Sequence, residues 1–160
     1  GPYEAGMERF VKLQKNDFIG REAAAAEHAA GPKLRRVSFT INTGTADVMR
    51  DEPVWAKLGD TDFGSVAPAH NFGVERHAPD GPVGRSVNHR DGDWRVVGWA
   101  TSGGFAHFVE KSMAQAYIPS ELSLRGEQGL FQIEILGERF PAQIALDPPF
   151  DPTGARMRMG

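Results

Sequence analysis

The chain has 160 residues, a formal net charge of -3 and 40% hydrophobic residues, which is typical of a globular protein with one domain. No apolar run approaches the roughly 20 residues that a membrane helix needs, and the slightly acidic balance gives no general attraction to nucleic acid. Cysteine is absent, which excludes a disulfide framework, a thiol nucleophile and a thiolate metal site. We expect a cytoplasmic protein with neither a membrane nor a nucleic acid as its partner.

The N-terminal part predicts a short extended segment followed by one helix. Apolar and polar residues alternate over 11–14, which suits a strand or an extended entry segment. Asp17 is a favourable helix N-cap, and the alanine-rich run after it predicts a helix that ends at Gly31. We expect Phe18 and Ile19 to anchor this helix on the core.

Six later segments show the alternation, or the short apolar run, of a β-strand. They are residues 34–41, 53–55, 94–101, 111–118, 130–136 and 140–146. Residues 56–93 are rich in Gly, Pro, Asp, Asn and His and have no sustained period, so we expect a long inserted loop there. Because no helices separate the strands, the pattern predicts a mainly β fold, a small barrel or a sandwich, with one N-terminal helix.

Five stretches, in order along the chain, resemble one family. Residues 16–23 (NDFIGREA) and 97–105 (VGWATSGGF) resemble the two signatures of the C-terminal barrel domain of glycine cleavage T-proteins. Residues 111–119 and 137–142 resemble the strand and the last hairpin that follow. Residues 150–158 (FDPTGARMR) resemble the ending of the flavin-linked branch, which contains the dimethylglycine and sarcosine dehydrogenases.

The resemblance implies a small antiparallel six-stranded β-barrel with one N-terminal helix and an insertion over about 56–93. It also implies that residues 1–160 are one aminomethyltransferase C-terminal barrel domain. Helix and strand patterns begin within a few residues of Gly1, so we expect a fragment of a larger protein.

The resemblance also implies a role in one-carbon chemistry. In this family tetrahydrofolate captures a one-carbon unit, while the protein orients the pterin and keeps bulk water away. The chain would form one wall of the folate cavity, and the upstream domains of the same polypeptide would be its partners. The acidic residue credited with chemistry belongs to those domains, so we expect no catalytic residue here and no catalysis by the fragment alone. FAD would be held by the parent enzyme and not by this fragment.

Three functions are compatible with these patterns. The first is the C-terminal domain of a tetrahydrofolate-dependent N-demethylating enzyme similar to dimethylglycine or sarcosine dehydrogenase. The second is the corresponding domain of a flavin-free glycine cleavage T-protein or of another folate-dependent demethylase. The third is a non-catalytic structural or interaction barrel, in which the inserted loop binds a partner.

Several residues are candidates for contact with folate, because a cavity wall needs flat apolar surfaces, close backbone approach and a cation for the glutamate tail. They are Phe10, Thr101, Ser102, Gly103, Phe105 and Arg156. Structural roles also explain them. Residues 101–104 fit a tight turn that ends the strand, the aromatic rings (and Trp99) fit core packing, and Arg156 fits a solvated surface cation.

The histidines form no recognisable metal motif. Those of the expected loop, and the aspartates near them, are His70, His77, His89, Asp80, Asp91 and Asp93. No pair has the helical spacing that presents two ligands together, so no metal site is predicted. His107 follows the glycine pair and lies nearest the candidate folate residues.

Overall fold

The structure is a computed structural model that describes residues 1–44, 46–59 and 90–158. Its helix is α1 (Arg21–Ala30), and its strands are β1 (Leu34–Ile41), β2 (Pro53–Lys57), β3 (Arg90–Asp91), β4 (Trp94–Ala106), β5 (Lys111–Pro119), β6 (Phe131–Ile135) and β7 (Glu138–Ile144). Single turns of 3-10 helix lie at Glu8–Phe10, Ser120–Leu122 and Arg156–Arg158.

All strand pairs are antiparallel, in the order β2-β6-β7-β1-β5-β4-β3. Strand β4 also pairs with β2, which closes six strands into a barrel and leaves β3 as a short extra strand beside β4. Closure satisfies the backbone groups that an open sheet would leave at its edges. The prediction of a mainly β, six-stranded antiparallel barrel is confirmed, and the described residues contain one α-helix.

The core fills the inside of this barrel with side chains from every second strand position. On β5 the inward residues include Ala114 and Ala116, whereas Met113 and Gln115 point outward, as the alternation predicts. Phe39 of β1 is fully buried and lies directly opposite Ala114, so a large side chain meets a small one across the pair. Burial of one such phenylalanine contributes about 1.5–3 kcal/mol.

The N-terminal segment differs from the prediction. It contains the 3-10 turn Glu8–Phe10 instead of a strand, and helix α1 begins only at Arg21. Gly20 occupies the N-cap position with φ of 86°, a conformation that glycine adopts without strain, so Asp17 is not the cap. Ile19 is fully exposed, and within α1 only Ala24 is buried. The expected anchoring by Ile19 is therefore wrong, because the helix lies on the surface and contributes little to the core.

Polar contacts hold the N-terminal segment in place. The Arg35 guanidinium of β1 donates to Glu8 Oε1 at 3.0 Å, and the Arg21 guanidinium donates to the Leu13 carbonyl at 3.0 and 3.2 Å. The backbone N–H of Glu8, and then the Arg35 guanidinium, bind the charged carboxylate and hold the pKa of Glu8 below its ordinary value.

The two ends of the predicted inserted loop belong to strands. Strand β2 continues to Lys57, and β3 pairs with the start of β4. The backbone N–H groups of Leu58 and Gly59 both donate to the Asp93 carbonyl, at 2.8 and 3.1 Å, so the ends of the segment lie side by side. The other residues of the expected loop, 60–89, lie outside the described residues, as do His70, His77, His89 and Asp80.

Three further features concern the described residues alone. Asp91 forms an ion pair with Arg139, with its Oδ2 2.9 Å from Arg139 Nη1. No group of three or more His, Asp or Glu side chains in the described ranges is arranged to hold a metal ion. In the same ranges, no helix has both the length and the apolar character needed to cross a bilayer.

Replacement of Gly98 tests the tight packing at the barrel closure. A Cβ atom at this position of β4 would collide with the carbonyl oxygen of Tyr117 and lie 3.0 Å from Ile118 Cγ2. We expect Gly98→Ala to lower the free energy of unfolding by about 1–3 kcal/mol, because backbone cannot move aside as a flexible side chain can. Urea denaturation measures the change. Gly126→Ala is the control, since its new Cβ would be 3.4 Å from Leu146 Cδ1; an equal loss in both variants would contradict the argument.

Glu8 gives a pH-dependent prediction. Because the folded-state pKa is lowered from 4.5, the Glu8–Arg35 contact stabilises the fold above that value. The contribution is lost as the pH falls through the lowered pKa. We expect it to stay below about 1 kcal/mol, since the pair is at the surface. Unfolding free energies of the wild type and Glu8→Gln, measured between about pH 3 and 7, should converge at the acid end; a constant difference would contradict this.

Candidate functional site

The candidate residues between 101 and 105 lie within a continuous strand. Strand β4 runs to Ala106, and Ser102, Gly103 and Gly104 pair with Gln115, Ala114 and Met113 of β5. The expectation that these glycines end the strand in a tight turn is therefore wrong. Glycine weakens a strand but does not prevent cross-strand hydrogen bonds, and pairing with β5 keeps the chain extended.

A β-bulge at Thr101 determines which side chains of β4 face outward. The register of the β4–β5 pair shifts between Ala100 and Ser102, and the Thr101 hydroxyl donates to the Gln115 carbonyl at 3.1 Å. In a regular strand Ala100 and Ser102 would share one face. Here Ala100 is buried in the core and Ser102 is exposed. The extra residue thus turns the Ser102 hydroxyl to the outside of the barrel.

The bulge opens onto a shallow depression of about 280 Å³ on the outer face of β1, β4 and β5. It is lined by Ser38, Ser102, Gly103, Gly104, Met113, Ala114 and Gln115. Its hydroxyl and amide groups both donate and accept hydrogen bonds, and Met113 adds a polarisable apolar side chain. The volume lies at the lower limit of small-molecule sites, which usually bury most of their ligand, so an organic ligand here needs a second wall.

Gly103 lets another part of this chain, the segment around Val48, approach the backbone of β4 closely. A Cβ atom on Gly103 would lie 2.6 Å from both the Cβ atom and the carbonyl oxygen of Val48, which is buried. The segment that contains Val48 is also held against the barrel by Ser112 of β5, whose hydroxyl donates to Asp47 Oδ1 at 3.2 Å. The glycine is thus explained by the packing of the chain between β1 and β2 against β4.

The aromatic candidates are outside the core. Phe10 is largely exposed on its 3-10 turn, with the Arg9 guanidinium 4.6 Å from the ring centroid. Phe105 is exposed, and its ring lies 5.1 Å from that of His107. Trp99 is half-buried and pairs with Tyr117 on the outer face. The core-packing interpretation of these rings is therefore wrong.

Arg156 lies beside the hairpin that joins β4 to β5. Its guanidinium carbon is 5.4 Å from the ring centroid of Phe108 and 5.1 Å from that of Phe150. The structure thus brings Ser102 and Gly103 to the depression, with Thr101 next to them in the bulge, and places Phe105 and Arg156 toward the hairpin. Phe10 lies on the N-terminal segment, which the Glu8–Arg35 contact holds in place, and it does not line the depression.

Sequence reasoning missed Ser38, Met113 and Gln115 in the depression and Phe108 and Phe150 beside Arg156. Alternation already placed Met113 and Gln115 on the outer face of β5. Their partner strand could not be identified, because strand pairing depends on tertiary contacts. One feature of the sequence could have identified Phe108. It is a large apolar residue that lies between two strands, outside any alternating pattern.

The family model described as "Glycine cleavage T-protein C-terminal barrel domain" matches residues 35–151, which include all of the barrel strands except the first residue of β1. The chain belongs to this family. The resemblance seen in the sequence is therefore confirmed, and the barrel of β1, β2 and β4–β7 is the T-protein barrel domain.

The T-protein barrel domain described here is similar to much longer proteins. It is 32% identical to the mitochondrial dimethylglycine dehydrogenase of Mus musculus over 159 residues, which are 99% of this chain and 14% of that protein. It is 44% identical to an aminomethyltransferase of Moorella thermoacetica over 72 residues, 42% of this chain and 19% of that protein.

A solved structure has the same fold. The glycine cleavage system aminomethyltransferase T from Bartonella henselae superposes with a TM-score of 0.60 at 17% identity. The match covers 94% of this chain and 32% of that one.

Replacement of Gly103 tests the contact that holds the segment around Val48 against β4. We expect Gly103→Ala to displace this segment, because the new methyl group would overlap Val48. Amide hydrogen exchange in residues 46–49 should accelerate, whereas exchange in β6 should not change. Ser102→Ala is the matched control, since it alters an exposed side chain on the same strand. Unchanged exchange at Val48 in Gly103→Ala would contradict the packing role.

Proposed function

We propose that this barrel is the C-terminal domain of a tetrahydrofolate-dependent N-demethylating enzyme of the dimethylglycine or sarcosine dehydrogenase kind. The extent of similarity carries the proposal. The mouse dimethylglycine dehydrogenase matches 99% of the chain, including the tail beyond β7, whereas four bacterial aminomethyltransferases match between 42% and 89% of it. The chain spans only 14% of the mouse protein. The upstream domains of the same polypeptide are therefore proposed as its partners.

In this proposal the depression on β1, β4 and β5 is one wall of the folate cavity. A pterin carries N–H donors, a carbonyl acceptor and a flat ring. The hydroxyls of Ser38 and Ser102 and the amide of Gln115 match the polar groups, and Met113 can pack on the ring. The openness of the depression agrees with a cavity that other domains complete.

The candidate residues take distinct parts in this arrangement. Thr101 holds the bulge through the Gln115 carbonyl and so fixes the outward direction of Ser102. Gly103 presents only backbone to the depression, and its missing side chain leaves room for Val48. Phe105 and Arg156 lie toward the hairpin, where a ring and a guanidinium suit an aromatic group and a carboxylate. Phe10 would reach the cavity from the N-terminal segment.

Bound tetrahydrofolate supplies the nitrogen that captures the one-carbon unit. The contribution of this chain is to bind and orient the pterin and to exclude water from one side, which lowers the entropic cost of the reaction. No catalytic residue is assigned to it. FAD, which the flavin-linked branch uses to oxidise the N-methyl group, would be bound elsewhere in the parent polypeptide.

A flavin-free glycine cleavage T-protein is the second candidate. The 44% identity to the Moorella aminomethyltransferase over 72 residues favours it locally. A flavin absorbance spectrum of the purified full-length protein separates the two. The cytoplasmic compartment also remains a proposal, since the similar mouse protein is named as mitochondrial.

Two replacements of Ser102 test the folate wall in the full-length polypeptide. Threonine and valine have the same shape, and only threonine keeps the hydroxyl. We expect Ser102→Val to raise the Kd for tetrahydrofolate about tenfold and Ser102→Thr about twofold or less, because one hydrogen bond is worth roughly 1 kcal/mol. Isothermal titration calorimetry measures both. Equal affinities of the two variants would remove Ser102 from the site, and a wild type without folate binding would refute the proposed function.

A further inference from the structure

A cluster of exposed aromatic side chains lies where the β4–β5 hairpin meets the C-terminal tail. Phe108, Phe150 and Arg156 form this aromatic patch, and Met157 follows Arg156 on the same 3-10 turn. The Phe108 and Phe150 rings meet edge to face with centroids 4.3 Å apart. Phe108 is 68% exposed and Met157 is 90% exposed. Large apolar side chains grouped in this way usually mark an interaction surface.

The tail is folded so that it presents Arg156 beside these rings. The Asp151 carboxylate accepts a hydrogen bond from the Arg156 backbone N–H at 3.1 Å, and the Gly154 N–H donates to the Asp151 carbonyl at 2.8 Å. The Arg158 Nε donates to the Gly154 carbonyl at 3.2 Å. These local bonds fix the backbone, and the two rings then restrict the guanidinium.

Within the described residues, the Arg156 guanidinium has neither an ion-pair partner nor a hydrogen-bond acceptor. Other arginines differ, since Arg35 binds Glu8 at 3.0 Å and Arg139 binds Asp91 at 2.9 Å. A guanidinium oriented by aromatic rings, with its N–H groups free, is well suited to bind a carboxylate through two parallel hydrogen bonds.

We propose that the aromatic patch is the surface on which the rest of the same polypeptide docks, with apolar side chains against Phe108 and Phe150 and a carboxylate on Arg156. The inference rests on the proposed function, in which the chain is one domain of a longer enzyme. Similarity to proteins of which the chain spans 14% supports this occupant. Aromatic residues, methionine and arginine are also the residue types enriched at protein interfaces.

Docking of a domain and binding of folate would cover different areas of this surface. A folate glutamate could also place a carboxylate on Arg156, but a small ligand leaves most of the hairpin and tail in solvent. A docked domain covers Phe108, Phe150 and Met157 together, independently of folate. Interfaces between domains usually bury about 600–1,500 Å², which is enough to cover the whole patch.

Hydroxyl-radical footprinting of the full-length polypeptide without folate tests the proposal. Labelling rates of Phe108 and Met157 are compared with the rates of the same residues in denaturant. We expect both to be labelled at least about fivefold more slowly in the folded wild type. In Arg156→Glu, which repels the carboxylate, the rates should approach those in denaturant. Ile19, fully exposed on the N-terminal segment, is the internal reference and should be labelled fast in both proteins.

Matched variants separate loss of docking from loss of folding. Arg156→Lys keeps the charge and should retain most of the protection, and Arg125→Gln removes an exposed cation that pairs with Glu127 and should retain all of it. Circular dichroism establishes that each variant is folded. If Arg156→Glu is unfolded, Phe108→Ser replaces it, with Met157 as the reporter.

Three results would overturn the proposal. They are no protection of Phe108 and Met157 in the wild type, protection only with added tetrahydrofolate, and protection that rises with protein concentration, which indicates a second copy of the chain. Tetrahydrofolate affinity is measured on the same samples. Protection without folate binding refutes the folate function and leaves docking intact, whereas folate binding without protection refutes docking alone.

Discussion

The pairing of β4 with two different strands holds the structure together. Its first half pairs with β2 and closes the barrel, and its second half pairs with β5. At Gly98 the backbone of β4 lies against the Tyr117 carbonyl, an approach that no side chain permits. The bulge at Thr101 lies just after the stretch of β4 that pairs with β2, and it reverses the direction of the side chains that follow. Barrel closure and the outer depression therefore depend on one strand.

Both proposed contact regions lie along the second half of this strand. The depression begins at Ser102, and the hairpin after Ala106 carries Phe108 to the aromatic patch. The depression is open and the patch is exposed, so each surface is suited to contact with something outside this chain. A domain that docks on the patch would stand beside the depression and could close it, which links the docking and the folate proposals physically. The barrel core provides a rigid support for both surfaces.

Particular elements show how far sequence reasoning reaches. The alternation of β5 predicted its inward and outward residues, because a strand repeats every two residues whatever its partner is. The same reasoning failed at Ser102, where the glycines that follow indicated a turn. Pairing with β5 decided the outcome there, and that pairing is not encoded in local propensity. Asp17 is a good capping residue but does not cap the helix, because Gly20 begins the helix from a left-handed conformation.

The sequence by itself determined the mainly β class, the inward set of β5 and the family resemblance, since periodicity and short motifs are properties of neighbouring residues. Tertiary structure alone decided the closure of β4 on β2, the outward direction of Ser102, the meeting of Gly103 with Val48 and that of Phe108 with Phe150. These contacts join residues far apart in the chain. They form only when the strands pack around a common core, so no local pattern contains them.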